Sequence, residues 1–184
     1  MKIGKCILIV VAVIFLTVGG TYAYWTGRSN NVNINASLGN INNCVRYTKG
    51  TNLTSANFMP STSYTGGAST TITFYRYASG SNSCNINNNI YGTISIKINS
   101  IGTNLKNEAG FKYALVNGNT ILAQGTFSGK SAGTYAIKSN IALSTNSTTY
   151  TLYVWLDKSM DLNEKIVGES FNMELVVSAT NQPS

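Results

Sequence analysis

The chain has 184 residues, a formal charge of +7 and no histidine. Histidine is the usual general base and a common metal ligand, and it activates serine or cysteine nucleophiles, so its absence argues against most hydrolytic mechanisms. Asn, Ser, Thr, Gly and Tyr dominate, and these residues favour strands and turns over helices. The sequence therefore predicts a non-enzymatic β protein with no catalytic residues, cofactor or metal site.

The N-terminus has the order of a secretory signal segment. Lys2 and Lys5 precede the apolar run of residues 6–16, and Gly19 and Gly20 follow it. A basic region, an apolar region and small residues before a cut define such a segment. We expect cleavage between Ala23 and Tyr24, which divides the chain into a signal peptide over residues 1–23 and one domain over residues 24–184.

A retained membrane anchor is the alternative interpretation of the same segment. Residues 6–25 just reach the length of about 20 residues that spans a bilayer as a helix. Both interpretations place the body of the protein outside the cell, secreted or on the cell surface. Any contact with the membrane is expected through this segment alone.

Three cysteines are present, and export would remove Cys6 with the signal peptide. Cys44 and Cys84 then remain as the candidate disulfide, which an oxidising extracellular environment permits. Two buried free thiols are the alternative.

From residue 31 onward, apolar residues alternate with polar ones, which is typical of strands with one buried face. Val32, Ile34, Ala36 and Leu38 form the first such set. Further strands are predicted over residues 71–77, 94–98, 111–115, 121–127, 135–138, 149–157 and 171–179. Such a series predicts an all-β antiparallel sandwich, with jelly-roll and immunoglobulin-like topologies both open.

Two connections between these strands have distinct signatures. Asn117-Gly118 lies between two alternating runs and predicts a tight hairpin, because both residues tolerate positive φ. Residues 48–69 are rich in Gly, Ser, Thr and Asn, and they predict a long loop.

The acidic residues all lie in the second half of the chain, whereas residues 24–107 carry only basic ones. The two halves could attract each other between subunits, or the basic half could face an anionic wall polymer, a glycan or a membrane surface. A solvated surface is the simpler interpretation. Nucleic acid is not expected, because the Lys and Arg residues are spread singly.

Carboxylates cluster in residues 157–169, which connect the last two predicted strands. Two carboxylates of this group could act as a glycosidase-type pair, and Asp157, Asp161, Asn163 and Glu164 could bind calcium. A solvated loop is the alternative. The interleaved Lys158 and Lys165 favour the loop.

Four aromatic residues lie on strand faces opposite the aliphatic ones: Tyr75, Tyr77, Tyr153 and Trp155. They could form an exposed strip that binds glycans or another subunit. Burial under neighbouring structure is the favoured alternative, because Tyr is common in sheets.

Short motifs at both ends resemble the TasA and camelysin family of Firmicutes, which is exported by a SipW-type signal peptidase. They are GGTYAYW at residues 19–25, YVWLD at 153–157, GESF at 168–171 and VVSA at 176–179.

The resemblance implies a jelly-roll subunit of extracellular matrix or surface fibres. It also implies that residues 24–38 are donated as a strand to the next subunit, with Val32, Ile34, Ala36 and Leu38 filling the acceptor groove. Camelysin-like members have been described as metalloproteases, an activity that is not carried over to a chain without histidine or HExxH. A monomeric adhesin or carbohydrate-binding module is the rival interpretation.

Overall fold

A computed structural model describes residues 44–55, 60–77, 89–181 and 183. The candidate signal segment with Ala23 and Tyr24, the candidate donor strand over residues 24–38, and Cys84 lie outside these ranges. The described residues form ten strands and three short 3₁₀ turns, and none of their helices is long and apolar enough to cross a membrane. The strands are β1 (Val45–Lys49), β2 (Leu53–Ser55), β3 (Pro60–Ser61), β4 (Ala68–Arg76), β5 (Tyr91–Ile101), β6 (Phe111–Asn117), β7 (Thr120–Thr126), β8 (Gly133–Ala142), β9 (Thr148–Asp157) and β10 (Phe171–Thr180).

These strands form two sheets. The first has the order β1-β4-β9-β6-β7, with β3 added beside β9, and the second has the order β2-β10-β5-β8. All pairings are antiparallel except that of β3 with β9. The predicted all-β antiparallel sandwich is therefore confirmed.

The antiparallel pairs are nested along the chain. The hairpin of β6 and β7 lies inside the pair β5/β8, that pair lies inside β4/β9, and the pair β2/β10 encloses all of them. Successive enclosing pairs alternate between the two sheets, so the chain crosses from one sheet to the other at most connections.

The main core lies between the sheets, where both inner faces contribute apolar side chains. Alternation places every second residue of a strand on that face. The rings of Phe111 and Phe127 lie 4.6 Å apart by their centroids, and those of Phe111 and Phe171 lie 5.2 Å apart, so aromatic contacts join the two sheets. The fully buried members of this core include Leu53, Ile72, Ile94, Ile96, Leu115, Leu152, Val154 and Met173.

The prediction of one long loop over residues 48–69 is wrong. Residues 48 and 49 end β1, and β2, β3 and a 3₁₀ turn at Tyr64–Gly66 occupy much of the rest. Leu53 is completely buried and pairs with Met173, because this polar segment crosses from one sheet to the other and leaves one leucine in the core. The apolar residues of this segment do not alternate regularly with polar ones, so it gives no periodicity from which a strand could be predicted.

The predicted hairpin is present, but its turn is displaced by one residue. Asn117 pairs with Thr120 at the end of the ladder, so Gly118 and Asn119 are the two turn residues. Gly118 has a φ of +56°, and Asn119 is not among the described residues with positive φ. Glycine at the first central position is the type II′ arrangement, which matches the twist of the flanking strands.

Candidate functional site

The last strand, β10, is a mostly apolar strand of the second sheet and lies between β5 and the three-residue strand β2. Its sequence FNMELVVSAT alternates, so that Phe171, Met173, Leu175 and Ala179 are buried and Val177 packs against the core. β5 pairs with it along its whole length, with no register shift from Met173 to Thr180. The strand is therefore regular and rigidly placed.

On its other side, the described strands cover β10 only at its start. β2 pairs with Phe171–Met173 and with no later residue. Within the described part of the chain, no strand pairs with residues 174–179 on the side away from β5. We call residues 175–179 of β10 the acceptor edge, because backbone N–H and C=O groups along such an edge can pair with another strand.

The other margins of the two sheets carry features that oppose strand addition. The pairing of β8 has two register shifts, and Asn140 in β8 has a φ of +57°. The pairing of β7 has one register shift, and β1 carries Arg46 and Lys49 in five residues. Bulges and basic residues are the usual protection of sheet edges, whereas residues 175–179, LVVSA, include no charge, Gly or Pro.

The two sheets differ in extent on this side of the sandwich. β1 extends the first sheet beyond β4, whereas the second sheet ends at the three-residue strand β2. The inward residues of β1 face β10: Val45 clusters with Ala179, and Lys49 pairs with Glu174. A further strand beside β10 would continue the second sheet past the point where β2 ends.

A buried carboxylate marks the start of the acceptor edge. The Glu174 side chain is 8% exposed and accepts hydrogen bonds from the ammonium groups of Lys49, in β1, and Lys97, in β5. The Lys97 contact is 3.0 Å long. Burial raises the pKa of the Glu174 carboxyl, but the hydrogen bonds and charges of the two lysines outweigh it and hold the pKa below its ordinary value.

The other end of the edge adjoins a small apolar cluster formed by Cys44, Val45, Ile90 and Ala179. Cys44 is disulfide-bonded, so the alternative of a free thiol is excluded for this residue. Because Cys84 lies outside the described residues, its pairing with Cys44 stays a prediction. The Cys44 carbonyl accepts a hydrogen bond from the Tyr77 amide, which ties the residue before β1 to the residue after β4.

Glu169, at the end of the acidic segment 157–169, joins two loops at one end of the sandwich. The Glu169 carboxylate accepts hydrogen bonds from the backbone amides of Asn104 and Leu105 and from the Asn104 side chain. Burial raises the pKa of Glu169, and these hydrogen bonds more than reverse the effect, so the net pKa is lowered.

Asp157 has a similar structural role at the end of β9. Hydrogen bonds from Lys112 and then Ser159 lower its pKa from 3.8 to about 2. No group of three or more potential metal ligands occurs in the described ranges. Two of the three described ion pairs, those of Lys49 and Lys97 with Glu174, join the basic half to the acidic half within one chain. The third, between Lys112 and Asp157, lies within the second half.

The four aromatic candidates do not form one strip. Trp155 is 8% exposed and lies with Tyr153 under Tyr64, whose ring centroid is 5.2 Å from that of Tyr153 and 6.3 Å from that of Trp155. Tyr75 and Tyr77 lie elsewhere on the same face, half-buried, and the Arg46 guanidinium lies 4.5 Å from the centre of the Tyr77 ring. The structural interpretation therefore applies to Tyr153 and Trp155.

Sequence reasoning predicted β10 and its inner face but missed Lys49 and Glu174. A glutamate between two apolar positions of a strand looks like an ordinary exposed residue, and Lys49 falls in the segment predicted to be a loop. Comparisons with protein-family models, curated proteins and solved structures found no match.

Proposed function

We propose that this chain is a secreted structural protein, a subunit or accessory of extracellular fibres that assemble by strand donation. The observation that carries the proposal is the acceptor edge, a regular, apolar and uncharged edge with which no described strand pairs. Exposed edges of this kind are templates for strand addition, and soluble proteins normally protect them.

We further infer that the sandwich is a jelly roll. Its support is the nesting of the pairs β6/β7, β5/β8, β4/β9 and β2/β10, which gives sheets β2-β10-β5-β8 and β4-β9-β6-β7. Eight strands arranged as two Greek keys have this pairing. Strand β1 is then an addition to the first sheet, beside β4.

The proposed donor is the segment over residues 24–38 of a second copy. Its Val32, Ile34, Ala36 and Leu38 have the spacing of two residues that places side chains on one face of a strand. Placed beside the acceptor edge, this face would continue the inner face of β10. Because the donor and the acceptor are different surfaces, the contact is head-to-tail and can continue into a filament. The resemblance to the TasA and camelysin family points in the same direction.

The rival function, a monomeric glycan-binding protein, has one observation in its favour. Tyr75 and Tyr77 are half-buried beside Arg46 on the outer face, a combination suited to sugar rings and acidic groups. Because the turn that carries Tyr64 covers Trp155, the candidate glycan-binding surface is smaller than the strip of four aromatic residues considered from the sequence.

Two complementary variants test strand donation. Ile34→Asp places a charge on the donor face and leaves the acceptor edge intact. Val177→Lys places an inward-pointing lysine on the acceptor edge, a device that protects natural edges, and leaves the donor intact. Ser178→Lys is the matched control, because Ser178 is exposed on the opposite face of the same strand.

We expect chains beginning at Tyr24 to form fibres in electron micrographs, and the Ser178→Lys control to do the same. Each of the other two variants alone should stay monomeric in size-exclusion chromatography. An equal mixture of them should give heterodimers that stop growing, since only one donor and one acceptor remain in each pair. Fibres formed by Val177→Lys alone, or a mixture that stays monomeric, would contradict strand donation at this edge.

A further inference from the structure

We propose that the Lys49 side chain is a releasable clasp on the acceptor edge, which holds the edge closed in the free chain and limits the rate at which a donated strand adds. This inference rests on the proposed function and adds to it the residue that controls access. It follows from the position of Lys49, from its burial and from the second cation on Glu174.

Lys49 lies where the chain crosses from one sheet to the other beside β10. It is the last residue of β1, and Leu53, four residues later, already pairs with Met173 in the second sheet. Between them, Gly50 donates a backbone hydrogen bond of 2.7 Å to the Thr71 carbonyl. The crossing is therefore fixed to the first sheet, and its contact with β10 beyond Met173 is the ion pair of Lys49.

The ion pair joins the two sheets at the first residue of β10 that β2 does not cover. Lys49 alternates with Val45 and Tyr47, whose side chains pack towards the interior. Glu174 alternates with the inward-facing Met173 and Leu175, so its carboxylate lies on the outer face of β10, and the Lys49 side chain reaches it past the margin of the second sheet. The Lys49 side chain is 11% exposed, which means that surrounding structure encloses it. A strand that pairs with β10 along the acceptor edge would meet the Lys49 side chain where it passes the margin of β10.

The second cation on Glu174 lowers the free-energy cost of releasing Lys49. Breaking a buried ion pair is normally costly because one charge is left buried without a partner. Here Lys97, which is 48% exposed, remains bonded to Glu174 after Lys49 leaves, and the freed ammonium group can enter water. The carboxylate thus keeps one permanent partner and one exchangeable partner.

The heterodimer of complementary variants provides the assay. Lys49→Met is placed in the Ile34→Asp chain, which supplies the acceptor edge, and the rate of heterodimer formation with the Val177→Lys chain is followed by fluorescence energy transfer between labels on the two chains. Methionine keeps most of the length of the side chain and removes the charge. We expect the rate to rise about tenfold, as for a barrier lowered by about 1.4 kcal/mol.

Two matched controls separate the clasp from general effects of charge. The same Lys49→Met change in the Val177→Lys chain should leave the rate unchanged, because the edge of that chain is not used. Lys97→Met in the acceptor chain should not raise the rate, since Glu174 then depends on Lys49 alone. Lys49→Arg, which keeps the charge and adds a second donor to the carboxylate, should lower the rate and covers the case in which Lys49→Met does not fold.

Two outcomes would overturn the clasp while strand donation stands. In the first, Lys49→Met and Lys97→Met accelerate heterodimer formation equally. In the second, Lys49→Met does not accelerate it and Lys49→Arg does not slow it. If the parent pair of variants forms no heterodimer, strand donation itself fails and the clasp fails with it.

Discussion

Replacement of Trp155 by alanine tests whether the outer face of the first sheet is a packed surface or a ligand-binding strip. Trp155 is 8% exposed and clusters with Ala114 and Val116, and Tyr64 and Tyr153 pack against the cluster. If the ring is held by packing, its removal destabilises the fold. If the ring instead forms part of a ligand-binding surface, its removal costs little stability and abolishes binding.

The expected cost follows from the buried area. A tryptophan side chain buries roughly 150–250 Å², which at about 25 cal/mol per Å² corresponds to about 4–6 kcal/mol as an upper limit. Measured substitutions of large core aromatic residues by alanine cost about 3–5 kcal/mol. Because the turn carrying Tyr64 lies at the surface and can settle into part of the space, we expect about 3 kcal/mol.

Urea denaturation followed by far-ultraviolet circular dichroism measures the change. Tyr77→Ala is the matched control, since Tyr77 is an aromatic residue of the same chain that is half-buried and contacts Arg46 instead of the Tyr64 turn. Its loss should cost no more than about 1 kcal/mol, the order of one cation–π contact. A loss below 1 kcal/mol for Trp155→Ala, or equal losses for the two variants, would refute the packing argument.

Two further predictions concern acid stability and the hairpin. Glu169 and Glu174 have pKa values below the unfolded value of about 4.3, so their contributions to stability are complete above about pH 5 and are lost as the pH falls through the lowered values. The melting temperature should therefore stay level from pH 7 to about 5 and fall below about 4, with a smaller fall in Glu169→Gln; a level profile down to pH 2 would contradict the assignment. Gly118→Ala should cost about 1 kcal/mol in urea denaturation, because φ is +56° and nothing lies within 4 Å of an added methyl group, so the cost is backbone strain alone. Gly118→Asn should cost clearly less, and equal costs for the two would show that strain is not the cause.

The charged and aromatic residues show where sequence reasoning stopped. Tyr75, Tyr77, Tyr153 and Trp155 have the same alternation in the sequence, yet only the last two are covered, because the turn carrying Tyr64 reaches across the sheet from a distant part of the chain. The sequence predicts a solvated loop over residues 157–169, and most of these residues are exposed, but Glu169 binds backbone amides of the connection between β5 and β6. Contacts between segments far apart in the chain leave no periodic signal.

The sequence by itself determined the all-β class, most of the strands from β4 to β10, and the inner face of β10. Alternation of apolar and polar residues is a local property, and one buried face is enough to produce it. Only the tertiary structure decided that the pairs are nested, that β2 covers three residues of β10, and that Lys49 and Glu174 meet beside its uncovered edge. Those features depend on which strands become neighbours, and neighbours are selected by the packing of the whole core.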